Sequence, residues 1–384
     1  MRRFRLFIHT LTHLVNDNYG GFLAPLLPLL AIQHDLSLAA AGLLVSVQTL
    51  AASLFQPLWA YFSDRFPSRW FILLGVLSTA IFFSLIGVMP NVPALMLTIF
   101  LGGVGIACFH PLATAVAAAL TTRKKGIAIA IFITGGTAGY AVGPVFIAAI
   151  VEAYGLHGTP IAIIPGILIV IAWYFLGPRK VRRPKNDASD SDQQIAVKNI
   201  PRAALALLTG ISFIRAVVLL AYGNFISFHL QETGMELQQR SYYIFALHVG
   251  GAIGGLFYGS LSDRLGRWRV IFWTPLLALP LFYWFNAAEG TLAIIILFLA
   301  GSVTFASAPA VVVAAQKMMP GREGMASALQ IGLAWGSAGL TMGLVGKLGE
   351  IFGVGEVLFG ISALPLLMSI LALFVAKYRH QFEG

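Results

Sequence analysis

The stretch Gly259-Ser260-Leu261-Ser262-Asp263-Arg264-Leu265-Gly266-Arg267-Trp268-Arg269 places one acid and three arginines around a glycine, between two long apolar runs. A worn copy, Ala60-Tyr61-Phe62-Ser63-Asp64-Arg65-Phe66-Pro67-Ser68-Arg69, lies 199 residues earlier, counted from Asp64 to Asp263. Pro111 and Gly126 find counterparts in Pro309 and Gly324, each 198 residues on. A period this long is far above that of a solenoid repeat and implies duplication of a six-helix unit.

Composition agrees. The chain is 58% hydrophobic and only 10% charged, whereas a soluble domain carries roughly a quarter charged residues. Lipid is the expected solvent. Apolar spans are expected near 5–30, 38–62, 70–89, 92–119, 126–150, 158–177, 203–229, 239–262, 269–287, 291–314, 323–349 and 354–376, each able to hold the about 20 residues a crossing needs. The expected fold class is an all-α membrane protein of twelve transmembrane helices.

The formal charge of +10 does not point to nucleic acid, because of where the bases fall. The N-terminal tail and every second connection hold 22 of the 25 lysines and arginines, and the intervening connections carry mostly acids, such as Asp35, Glu152 and Glu289. This asymmetry predicts that both termini are cytoplasmic. His9, His13, Asn16 and Asp17 interrupt what would otherwise be the apolar core of a secretion signal, so the first helix is expected to stay uncleaved. The lone Cys108 excludes an intramolecular disulfide. Residues 179–201 change from basic to acidic and form a cytoplasmic linker between an N-terminal bundle, 1–178, and a C-terminal bundle, 202–384.

Small residues recur every fourth position as Gly135, Gly139 and Gly143, as Gly250 and Gly254 beside Gly251, Gly255 and Gly259, and as Ala328, Gly332 and Gly336. Such rows let helix backbones approach closely. They serve either static packing or a sliding seam between the halves. Gly102-Gly103-x-Gly105 follows no strand and is not a nucleotide loop.

The duplicated Asp-Arg loop resembles the loop signature of the major facilitator superfamily. Leu11-Thr12-His13-Leu14-Val15-Asn16-Asp17 with Pro25 and Pro28, then Leu54-Phe55-Gln56-Pro57, Phe109-His110-Pro111, and Pro320-Gly321-Arg322-Glu323-Gly324-Met325 together resemble the fosmidomycin-resistance branch of bacterial drug exporters. The chain departs from that branch at Leu112 and Ala115, where an acid and a base are usual, at Pro67 in place of glycine, and at Ile147-Ala148, where the antiporter glycine motif would continue. The resemblance implies two six-helix bundles, a cavity between them near the membrane midplane, proton-driven export of a small molecule, and a conformational latch built from Asp64, Arg65, Asp263, Arg264 and Arg267.

The residues supply their own candidates. Ionised groups at membrane depth are costly, so each is expected to face protein or water and to have a task. Asp17 is the only acid deep within a span, and His9 and His13 stand within about 80° of it on one helical face. A carboxylate beside an imidazole can hold and release a proton near neutral pH, which makes Asp17 and His13 candidate proton-coupling residues. His110, an ionisable group inside the fourth span just before Pro111, is a further coupling candidate or a satisfied structural histidine. A purely structural hydrogen-bond role is the alternative. Arg215 cannot lose its charge and is either a fixed partner for an acid or anionic substrate, or a side chain reaching for the cytoplasmic edge. With Asn16, Tyr222, Asn224 and His248 it forms the candidate substrate cavity, although buried aromatics equally serve packing. Two other readings stand beside proton-coupled export: uptake or facilitated diffusion of a polar metabolite, and a membrane sensor or scaffold that does not transport. No nucleophile and base pair or metal cluster is visible, so no enzyme, cofactor or metal is expected. The expected partners are a small-molecule substrate, protons and lipid, and the expected state is a monomer in the bacterial inner membrane.

Overall fold

The computed structural model describes residues 2–120, 125–178 and 201–383. Arg123, Lys124 and nearly all of the expected linker lie outside the described residues. Every regular element among those described is helical. In lipid a backbone must satisfy its own N–H and C=O groups, and these long apolar runs can do so only as helices. The chain packs as two compact units, one of Met1–Lys185 with Ser227–Phe245, the other of Asn186–Ile226 with Ala246–Gly384.

The first crossing is broken. Helices α1 (Arg2–Gly20) and α2 (Leu23–Gln33) part at Gly21-Phe22, inside the span expected at 5–30. The reason is Pro25: it has no N–H for the Gly21 carbonyl four residues back, and its ring crowds that carbonyl. Gly21 also fits where little else would, since a Cβ there would lie 2.6 Å from the Tyr140 carbonyl and 2.9 Å from Pro144. The unit continues with α3 (Leu38–Leu54), capped by Ser37 accepting from the Ala40 N–H at 3.2 Å, and with α4 (Gln56–Arg65) and α5 (Trp70–Leu85). Helix α6 (Val92–Ala119) starts at an Asn91 cap, and α7 (Lys125–Tyr154) and α8 (Ile163–Leu176) complete the run. Ile8, Ile72, Val76, Phe109, Phe132 and Trp173 form an apolar core around the first half of α1.

Beyond residue 201 come α9 (Arg202–Glu232), α10 (Leu237–Leu265), α11 (Arg267–Phe285) and α12 (Gly290–Met318). Short pieces follow: α13 (Glu323–Ser327), a π-helical turn at Ala328–Leu333, α14 (Ala334–Leu340) and α15 (Met342–Phe352). The last crossing is α16 (Val354–Ile361) with α17 (Leu364–Val375). Eleven continuous or nearly continuous stretches among the described residues are long and apolar enough to cross a membrane, and α1 with α2 makes the twelfth.

The glycine rows of spans five and eight are taken up inside their own units, which replaces the sliding-seam expectation with close static packing. Gly135, Gly139 and Gly143 of α7 lie against the backbone of Thr10, Leu14 and Asn18 of α1. Both helices step by four residues in the same direction, so they run parallel with their backbones touching. Gly250 and Gly254 of α10 meet Phe298 and Ser302 of α12 in the same way, while Gly251, Gly255 and Gly259 face Phe305 and Pro309. In the eleventh span, Gly332 has no atom within 4 Å of the position a Cβ would take.

The two Asp-Arg loops differ for a reason visible in one residue. Gly266 alone joins α10 to α11, at φ 91, a backbone region that favours glycine. Its counterpart Pro67 is held near φ about −65° and cannot make that turn, so residues 66–69 are needed between α4 and α5.

We predict that Gly139→Ala, which drives a methyl into the Leu14 backbone, lowers stability by about 1–3 kcal/mol. Gly360→Ala, with nothing within 4 Å, should leave it unchanged or slightly raised. Thermal unfolding of the two purified variants checks this; equal melting temperatures would contradict the close approach.

Candidate functional site

Helix α1 presents His9, His13 and Asp17 on one face, and the structure adds His110 from α6. His13 Nε2 lies 3.0 Å from Asp17 Oδ2, at ion-pair distance but off the line of a straight hydrogen bond. His110 Nε2 lies 3.5 Å from Asp17 Oδ1, and the Asn16 amide donates to the same oxygen at 2.9 Å. The His13 ring stacks on Phe132 with centroids 4.0 Å apart and meets the His110 ring edge-on at 5.1 Å. The site is partly open: His13 side-chain exposure is 5%, Asp17 16% and His110 25%. The expected coupling trio is therefore one physical cluster, with Asn16 inside it. The three ligating atoms fall within 4.8 Å of one another, a spacing that a metal ion also uses.

A backbone carbonyl fixes the chemistry of His13. Its Nδ1 stands 2.7 Å from the Phe132 oxygen, and a carbonyl only accepts, so Nδ1 carries a proton. Nε2 then faces the Asp17 carboxylate with a proton on one of the two, because two bare lone pairs at that distance repel. Nε2 and the carboxylate thus share one proton, in addition to the one on Nδ1. His9, eight residues before Asp17, behaves differently. Its Nε2 donates to the Ala113 carbonyl at 2.8 Å, and its Nδ1 accepts from the Trp173 indole at 3.1 Å. Both nitrogens are engaged and the side chain is fully buried, so His9 is a structural, neutral histidine.

A family model described as Major Facilitator Superfamily matches residues 10–343. The chain belongs to the major facilitator superfamily. It is 26% identical to the fosmidomycin resistance protein of Escherichia coli (strain K12), covering 97% of this chain and 92% of that one. It is 27% identical to the uncharacterized MFS-type transporter YfnC of Bacillus subtilis (strain 168), over 94% and 90%. Among solved structures, the bacterial homologue of the human lysosomal transporter Spinster, inward-facing and unoccupied, superposes with a TM-score of 0.78 at 16% identity, covering 99% and 97% of the two chains. The fold is the major facilitator fold, and the chain is a multi-pass membrane transporter.

In the second unit of this superfamily member, Arg215 is buried on α9 and does not reach for a membrane edge. Its Nη atoms donate to Ser307 at 3.3 Å and Ser212 at 3.2 Å. The Tyr222 hydroxyl is shared with Leu358, Ser362 and Asn286, which ties helices together. Asn224 donates to its own helix at Leu220, and His248 faces Gly223 on α9. Of the latch residues, Asp64, Arg65, Asp263 and Arg264 are exposed at helix ends, and Arg267 is half-buried. In the first loop the Arg65 guanidinium lies over the Phe66 ring. In the second loop Asp263 pairs with Arg267 at 2.9 Å, and Arg267 also donates to the Phe382 carbonyl at 2.9 Å, tying the loop to the C-terminal segment.

One residue of the cluster carries no signal in the sequence. A Cβ on Gly136 would collide with the His13 ring and lie 2.7 Å from Asp17 Oδ2, so the cluster exists only because α7 has no side chain there. Gly136 falls outside the every-fourth-residue row that marks Gly135 and Gly139. We predict that Gly136→Ala pushes His13 away from Asp17 and changes the pH profile of transport. His9→Leu should instead cost about 1–3 kcal/mol for each group it leaves unpaired and leave that profile unmoved. Transport against pH in liposomes, with thermal unfolding alongside, separates the two; an unaltered profile in Gly136→Ala would count against the cluster.

Proposed function

We propose that the chain is a secondary active transporter of the bacterial inner membrane that exports a small organic compound in exchange for protons by alternating access, with both termini in the cytoplasm. The observation that carries this reading is the His13, Asp17 and His110 cluster: the one acid deep in a span among the described residues, beside two imidazoles, with Asp17 and His110 partly exposed. A proton shared by His13 and Asp17 can leave toward one side and be replaced from the other. The name of the Escherichia coli relative, a resistance protein, supports export of a small organic compound. The bias of basic residues toward one set of connections supports the orientation. Asp64, Arg65, Asp263, Arg264 and Arg267 act as the conformational latch in this reading, with the Asp263 and Arg267 pair setting the balance between states.

Asp17→Asn fixes the site in a neutral form. In liposomes, with fosmidomycin as the first compound tried in a ligand-stabilisation screen, gradient-driven flux should stop while binding and gradient-free exchange persist. Undiminished flux at matched protein levels would remove Asp17 from the coupling step. Asp263→Asn should slow turnover and leave binding intact, since it touches the balance of states and not the site; normal turnover would speak against the latch.

A further inference from the structure

Arg215 is 2% exposed, midway along α9, and no carboxylate among the described residues lies within 4 Å of it. Among the described residues of its unit the acids, Asp263, Glu289, Glu323, Glu350, Glu356 and Glu383, stand at helix ends or in connections. A guanidinium has five N–H donors. Two are met, by Ser307 and Ser212, and Nε is buried with no partner. The hydroxyls cannot offset the charge. Ser212 gives its own proton to Gln330 Oε1 at 2.9 Å, and Gln330 in turn donates to Thr209 at 3.0 Å. This chain of bonds turns neutral lone pairs toward Arg215 and supplies no anion.

Gln330 belongs to the π-helical turn at Ala328–Leu333. Such turns are less regular than the α-helix around them and often mark functional positions. We propose that Arg215 is the oxyanion-binding side chain for the transported compound, which is therefore an organic anion bearing a carboxylate or phosphate-type group. The proposal rests on the exporter reading above. A planar oxyanion meets the unused Nε and Nη donors side by side, the geometry in which arginine binds carboxylates and phosphates most strongly. Arg215 is closed from solvent in this arrangement, so the anion reaches it when α12 and the π-turn part from α9.

The test is thermal unfolding of the full-length protein in detergent, at constant ionic strength, with benzoate, phenyl phosphate, benzamide, benzylamine and inorganic phosphate as probes. Benzoate and phenyl phosphate should stabilise the protein, benzamide and benzylamine should not, and inorganic phosphate should bind at least about tenfold more weakly than phenyl phosphate. Arg215→Gln should weaken binding of the organic anions about 10- to 100-fold, and Arg215→Lys should weaken it less. Because Arg215→Gln can fail to fold, the comparison of probes on the unaltered protein stands by itself. No response to either organic anion, an equal response to benzamide or benzylamine, or unchanged binding by a folded Arg215→Gln overturns the proposal. So does inorganic phosphate binding as tightly as phenyl phosphate, or phosphatidylglycerol reproducing the whole effect, which would assign the site to a free ion or a lipid headgroup. Binding is read here without a gradient, so its failure leaves Asp17-dependent flux untouched, and loss of that flux leaves anion binding untouched.

Discussion

In hydrocarbon, every backbone N–H and C=O must find its partner within the protein, and this constraint orders the rest of the molecule. It makes the apolar runs helical. It also makes each interruption informative, because an opened turn exposes groups that something else must satisfy. Three interruptions matter most: Gly21-Phe22 in the first crossing, Phe55 before Pro57 in the second, and the π-turn in the eleventh. Two of them adjoin the chemistry, since Asp17 lies one turn before the first and Gln330, bonded to the Arg215 network, lies within the third.

The second constraint is steric. Helices α1 and α7 touch backbone to backbone through Gly135, Gly139 and Gly143, and that approach brings Phe132 and Gly136 onto His13. The Phe132 carbonyl then sets the proton position on the imidazole, and the bare Cα of Gly136 leaves room for the carboxylate. Packing and proton chemistry are here the same contact seen at two scales.

Much of this was legible in the sequence. The twelve spans follow from apolar length, the duplication from the spacing of Asp64 to Asp263, and the Asp17 and His13 pair from helical periodicity. What was not legible depended on neighbours from distant parts of the chain. His110 joins Asp17 from another helix, α6, and no local pattern predicts that meeting. His9 shares the face of Asp17 yet is held by Ala113 and Trp173, so periodicity alone could not tell a structural histidine from a titrating one. The glycine rows marked close approach correctly but did not name the partner helix, and Gly136 lay outside them.

The one-residue joint at Gly266 has a mechanical consequence. Each residue contributes two soft dihedral angles, so a single pair separates α10 from α11, and a rotation of one helix is passed to the other almost as through a rigid crank. Between α4 and α5 the four residues 66–69 leave about seven such angles once Pro67 has fixed its own φ. That connection has more angles to set, and it is held by the Phe66 N–H donating to the Phe62 carbonyl and by Arg69 donating to the Tyr174 carbonyl. Duplication thus produced two loops that share an Asp-Arg pair and differ in length, the shorter one suited to transmitting torque.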